Sequence, residues 1–120
     1  MKKLYISIPI TGYPIESVKT RANELKESLS VEGWEVITPF DVVPDEEIAH
    51  IPDPRERYAY CMGKDIEALL LCDAVYFAQN WKKSKGCLTK KALALIYNKL
   101  RIYETMGHEL NIMLLKEALA

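Results

Sequence analysis

The run DAVYFA (73–78) constrains this chain most strongly. Its apolar residues do not alternate with polar ones. A strand of this kind must be covered on both faces, which is the situation of a parallel sheet with helices on each side. Three further runs read as strands: KLYISIPI (3–10), WEVITP (34–39), closed by Pro39, and LRIYE (100–104). Between the first two, residues 14–32 repeat apolar side chains at helical spacing through Ile15, Val18, Ala22, Leu25 and Leu29. Pro14 suits a first helical turn and Gly33 a stop. Helices are also expected over 55–71, 85–99 and 107–120. Residues 40–55 carry three prolines and a cluster of acids, which predicts a loop. It is long for a compact domain, and such loops are commonly functional or mobile. Strands alternating with helices predict one α/β domain over 1–120, with a mostly parallel sheet of four or five strands and right-handed crossovers.

In such sheets ligands bind beyond the C-terminal strand ends, near the switch in strand order. Three segments qualify: SIPITG after the first strand, the proline-rich loop after the second, and QNWKKSKG after the third. Ser84 and Gly86 stand where the last of these opens a helix. A serine there either seats an anion on the helix N-terminus or acts as an ordinary N-cap. Gly86 either admits a close ligand or makes a tight turn. ITGYP (10–14), with Gly12, is either a glycine turn at a nucleotide or a plain strand-ending turn. Neither a GxGxxG nor a GxxxxGK[ST] pattern occurs, which argues against a dinucleotide or P-loop site. Tyr5 is unremarkable within a strand, as is Asp65 within a helix. Trp81 suits either stacking on a base or capping the core edge.

Charge is uneven. The formal net charge is −1, which gives no general attraction to nucleic acid or membrane. Yet Lys82, Lys83, Lys85, Lys90 and Lys91 crowd one stretch, and no carboxylate falls between Asp73 and Glu104. No segment reaches the roughly 18 apolar residues of a membrane span, and the N-terminus reads as a strand rather than a signal peptide. Cys61, Cys72 and Cys87 are odd in number and fit no zinc spacing, so reduced, mostly buried thiols in the cytoplasm are expected. His50 and His108 have no metal-ligand spacing, and neither a metal nor a cofactor is expected.

Taken together, KLYISIPITG (3–12), YCMGKDIEALLLCDAVYFAQNW (60–81) and SKGCLTKKALALIYNKLRIYE (84–104) resemble the DUF4406 group of the nucleoside 2-deoxyribosyltransferase-like superfamily. The resemblance covers about 100 residues; the loop 40–57 and the last helix match poorly. It implies a flavodoxin-like (Rossmann-like) sheet that binds a nucleoside or nucleoside monophosphate, with no cofactor. It also implies a homodimer or higher even oligomer whose neighbour helps complete the pocket. In active relatives a Glu attacks the anomeric carbon of 2-deoxyribose, a helix Asp assists the departing base, a strand-one Tyr orients the Glu, and the Ser-x-Gly turn holds a 5′-phosphate. Carried onto this chain, Tyr5 matches the orienting Tyr, Asp65 the helix Asp, and Ser84 with Gly86 the anion turn. Ser7, Pro9, Gly12 and Trp81 are expected to line the pocket.

The nucleophile does not match, because the family's Glu position holds Lys90. No shift of register recovers a carboxylate, since none lies nearby. The transition state is oxocarbenium-like, and an ammonium about 4 Å away would oppose it by about 4 kcal/mol at an effective dielectric near 20. That is about three decades of rate. Lys90 instead pairs with Asp65, holds a phosphate, or snorkels outward.

Three functions therefore compete. One is a nucleoside- or nucleotide-binding protein that has lost the family's nucleophile. A second is an active N-glycosidic hydrolase or transferase using Asp65, Glu104, Glu109 or an acid within Asp41–Glu47. The third is an interaction protein in which the lysines form a solvated face.

Overall fold

A computed structural model describes residues 1–120. Four strands, β1 (Lys2–Ser7), β2 (Trp34–Ile37), β3 (Ala74–Phe77) and β4 (Leu100–Tyr103), form one sheet in the order β2-β1-β3-β4. All three pairings are parallel. Helix α1 (Ile15–Ser28) links β1 to β2. The step from β2 to β3 runs through two short helices, α2 (Pro39–Val42) and α3 (Asp45–Ile48), and the long α4 (Pro54–Leu70). Helix α5 (Lys85–Ile96) joins β3 to β4, and α6 (His108–Glu117) closes the chain. The strand order reverses direction at β1. Right-handed crossovers then require α1 on one face and α4 with α5 on the other.

The buried side chains divide accordingly. Leu4 and Ile6 of β1, with Ile8 just after it, join Ala74, Tyr76 and Ile102 beneath α1 and α6, whose Val18, Ala22, Leu25 and Leu115 complete the larger core. Tyr5, Val75 and Phe77 face the other way, against Leu69 of α4 and Cys87 and Ala94 of α5. This is the period-2 alternation of a sheet covered on both sides. The last helix covers its own sheet: Leu115 is buried, Ile112 and Leu114 pack on the core, and Met113 between them is exposed. Trp34 donates its indole N–H to the Leu115 carbonyl at 2.8 Å, fastening the helix. Gly33 turns into β2 with φ +96°, and a Cβ there would lie 2.9 Å from Leu119 Cδ1, so both conformation and space call for glycine.

The expectation for residues 40–55 needs correcting. Two helical turns occupy much of the segment, because its polar residues cap backbone ends instead of remaining in coil. Thr38 and Asp41 form a reciprocal capping box around Pro39, and Asp53 accepts from the Arg55 N–H at the start of α4. The first strand is also shorter than expected. It stops at Ser7, before Pro9 can interrupt a ladder. The sheet has four strands.

Asp41 gives a pH-dependent contribution of definite sign. Partial burial would raise its carboxyl pKa, but hydrogen bonds from Lys26, at 2.8 Å, and from Thr38 outweigh this and hold it below 3.8. A depressed folded pKa means that the contribution is present above the unfolded value and fades as pH falls through the folded one. Asp41→Ala is expected to cost about 1 kcal/mol at neutral pH, the worth of a cap, and less than that below pH 3. Urea titrations at the two pH values check this.

Candidate functional site

On the α4/α5 side of the sheet, β1 presents Tyr5 and Ser7, two residues apart and therefore on one face. Tyr5 is fully buried beside Val75, and Ser7 is fully buried beside Phe77. Helix α4 brings Asp65 over them and α5 brings Lys90. The Lys90 ammonium lies 3.3 Å from Asp65 Oδ2 and 5.3 Å from the centre of the Tyr5 ring. Both charged side chains are almost completely buried, at 5% and 7% exposure. The structure thus brings Tyr5, Asp65 and Lys90 together, and Lys90 takes the pairing alternative.

The cluster is incompletely satisfied. Tyr5 Oη, Ser7 Oγ and Asp65 Oδ1 are all buried without a hydrogen-bond partner. A buried polar atom left unpaired costs about 1–3 kcal/mol, so these three around one ion pair call for polar partners, such as water or a ligand. Burial raises the Tyr5 hydroxyl pKa well above its ordinary value, and the neighbouring Asp65 carboxylate raises it further, although no hydrogen bond of normal geometry joins them. Burial also raises the Asp65 carboxyl, against the opposing pull of Lys90. The chemistry available is a hydrogen-bonding floor, a shared carboxylate–ammonium pair and a neutral phenol.

Ser84 and Gly86 stand at the open end of the same layer. Ser84 is the N-cap of α5 and accepts from the Cys87 N–H at 3.2 Å, so its hydroxyl already has the ordinary capping role. Gly86 does not have the positive φ that demands glycine. A Cβ there would stand 3.7 Å from Tyr58 Oη and 4.0 Å from Met62 Cε of α4, ordinary contact distances. Trp81 is buried and packs on Phe77 and Tyr103, with ring centres 5.5 and 5.4 Å away. The Lys91 and Lys82 ammonium groups lie 4.8 and 5.7 Å from its ring. It caps the core edge.

Pro9 and Gly12 belong elsewhere. Pro9 lines a cavity of about 190 Å³ on the α1 side of the strand ends, with Tyr13, Arg21, Gln79, Asn80 and Glu104. Gly12 is exposed in the β1–α1 turn with φ +90°. Glu104 accepts from the Gln79 N–H at 2.9 Å and pairs with Arg21, tying α1 to the ends of β3 and β4. Of these residues Arg21 escaped the sequence reading; Pro9 was expected at the pocket, Tyr13, Gln79 and Asn80 lie in segments it singled out, and the Glu104 carboxylate was a candidate for the chemistry. Asn80, at φ 70°, shapes the turn in a conformation that asparagine tolerates and no motif signals. A second cavity of about 290 Å³ lies near the β2 edge, lined by Lys3, Ile37, Val42, Glu47, Lys64, Glu67, Ala68 and Leu71. Neither cavity includes Tyr5, Asp65 or Lys90.

The other candidate carboxylates are committed away from Tyr5. Glu104 lines the cavity on the opposite face, Asp41 caps α2, Asp45 pairs with Lys19, and Glu47 accepts from the Tyr60 hydroxyl. Glu109 is exposed. No three His, Cys, Asp or Glu side chains gather as metal ligands, all three cysteines are free thiols, and no helix is long and apolar enough to cross a membrane.

The architecture is similar to a solved structure described as a 2-deoxyribosyltransferase from the psychrotolerant bacterium Bacillus psychrosaccharolyticus. The TM-score is 0.61 at 15% identity, over 84% of this chain and 70% of that one. At that identity the likeness establishes the fold. No curated protein matches the sequence. Residues 2–103 match the family described as "Domain of unknown function (DUF4406)", and with that span the chain belongs to the DUF4406 family.

Proposed function

We propose that the protein binds a nucleoside or nucleoside monophosphate between α4 and α5 and does not cleave it by the carboxylate route of 2-deoxyribosyltransferases. One observation carries the reading: Lys90 replaces the expected nucleophile and is locked to Asp65 within the buried cluster. Support for a nucleoside comes from the fold shared with a 2-deoxyribosyltransferase. The unpartnered Tyr5, Ser7 and Asp65 oxygens are suited to sugar hydroxyls, and the exposed Lys82, Lys83 and Lys85 beside Ser84 favour an anionic end. The commitment of Asp41, Asp45, Glu47 and Glu104 to a cap, ion pairs and hydrogen bonds elsewhere weighs against a substitute nucleophile. Exposed Leu88, Leu95, Ile96 and Tyr97 on and just after α5 support a homodimer or higher even oligomer.

The test is an incubation with deoxynucleosides and their monophosphates, following free base by chromatography and binding by thermal shift. Wild type is expected to gain stability with ligand and to release no base. Lys90→Glu, which restores the carboxylate beside Asp65, is expected to release base. Base release by wild type overturns the reading, and a thermal shift with none of the ligands favours the interaction protein.

A further inference from the structure

The geometry points to Lys90 as an imine-forming amine that captures the aldehyde of an open-chain aldose. A buried ion pair contributes little net stability and is often matched or bettered by apolar residues, so stability alone does not account for this one, set among three unpartnered polar atoms. Buried lysines with a proton acceptor at hand are the usual Schiff-base formers. Here Asp65 Oδ2, at 3.3 Å, can take the proton from the Lys90 ammonium. The free amine adds to the aldehyde carbon to give a carbinolamine. The protonated Asp65 then returns its proton to the carbinolamine hydroxyl, which leaves as water. The ammonium–carboxylate pair and the aldehyde thus become an iminium–carboxylate pair and one water, with no oxidant or reductant needed. Tyr5 Oη, Ser7 Oγ and Asp65 Oδ1 stand ready as partners for the sugar hydroxyls and the departing water.

The approach is set by Gly86. It precedes Lys90 by four residues, so the two share one side of α5. Long helical side chains lean toward the helix N-terminus, which here lies at the open, C-terminal end of the strands. The Lys90 chain therefore runs back toward Gly86, where a Cβ would stand 3.7 Å from Tyr58 Oη and 4.0 Å from Met62 Cε, so a large side chain there would crowd the route to the amine. The inference rests on the proposed function only in taking the ligand to be a sugar.

The experiment incubates the protein with 2-deoxyribose or with 2-deoxyribose 5-phosphate and sodium cyanoborohydride, then maps reduced adducts by peptide mass spectrometry. Lys90 is expected to be labelled by at least one sugar about tenfold faster than the exposed lysines, which act as internal controls. Lys90→Arg keeps a cation for Asp65 and is expected to lose that fast label. Gly86→Leu, with the amine intact, is expected to slow it. Labelling of Lys90 no faster than Lys82 or Lys83 overturns the inference. Nucleoside thermal shifts without reductant keep the two readings apart. Shifts without an adduct remove only the imine, whereas an adduct without shifts removes only nucleoside binding.

Discussion

Asp65→Ala is expected to destabilise the fold by about 3–5 kcal/mol, since it leaves the buried Lys90 ammonium unpaired. Lys90 is 4% exposed and Asp65 is the partner of its only hydrogen bond and ion pair. The Tyr5 ring 5.3 Å away offers a weak second interaction. Removing both charges should be far milder. Asp65→Leu with Lys90→Met fills similar volume without burying an ion, and is expected to be neutral or to gain up to about 4 kcal/mol. The strong non-additivity of the pair is the diagnostic quantity. Urea unfolding of the two single variants and the double variant measures it. An Asp65→Ala cost below about 1 kcal/mol would mean that the ammonium escapes to water along its own stem.

The pH dependence of this pair is opposite in sign to that of Asp41. Burial raises the Asp65 carboxyl above 3.8 in the folded protein. A raised folded value favours the protonated form, so the contribution of this group is present below the unfolded value and is lost as pH rises through the folded one. Between those two values, wild type should gain stability relative to Asp65→Asn as the solution is acidified, a change that urea titrations at several pH values would follow.

Phe77→Ala is expected to cost about 3–5 kcal/mol, the usual range for emptying a fully buried aromatic site. Phe77 lies in the covered strand, 5.3 Å from Tyr103 and 5.5 Å from Trp81 between ring centres. The loss should reach beyond stability. Trp81 starts the turn that places Ser84, so releasing its ring loosens the start of α5 and, one turn further along, Lys90. The expected signature is a weakened near-ultraviolet circular dichroism signal, together with a lowered urea midpoint. Phe77→Leu, which keeps most of the volume, should lose less than about 1.5 kcal/mol. Equal losses in the two variants would show that ring packing has no special role here.

Several features were legible because they depend on local chemistry. The continuous apolar run at 74–78 demanded cover on both faces, and helices α1, α4 and α5 provide it. Spacing in residues 15–29 named the side chains of α1 that reach the core. The loop 40–55 was misread because prolines and acids serve both turns and helix starts. Which role they take depends on whether a cap closes, as Thr38 and Asp41 do. Trp81 left two roles open, and packing with Phe77 and Tyr103 chose between them.

The sequence by itself determined the layer order, the absence of a carboxylate from 74 to 103 and the presence of Lys90 at the position where the resemblance implies a nucleophilic Glu. Only the tertiary structure decided what that lysine does. Residues 5, 65 and 90 are far apart along the chain, and no local pattern links them. They meet because β1 lies beside β3 and the crossovers stack α4 and α5 on one face. In that dry layer an ammonium cannot stand alone, and the one carboxylate within reach is Asp65. The same topology sent Glu104 to the opposite face, where it became a tie for Arg21 and the β3 end.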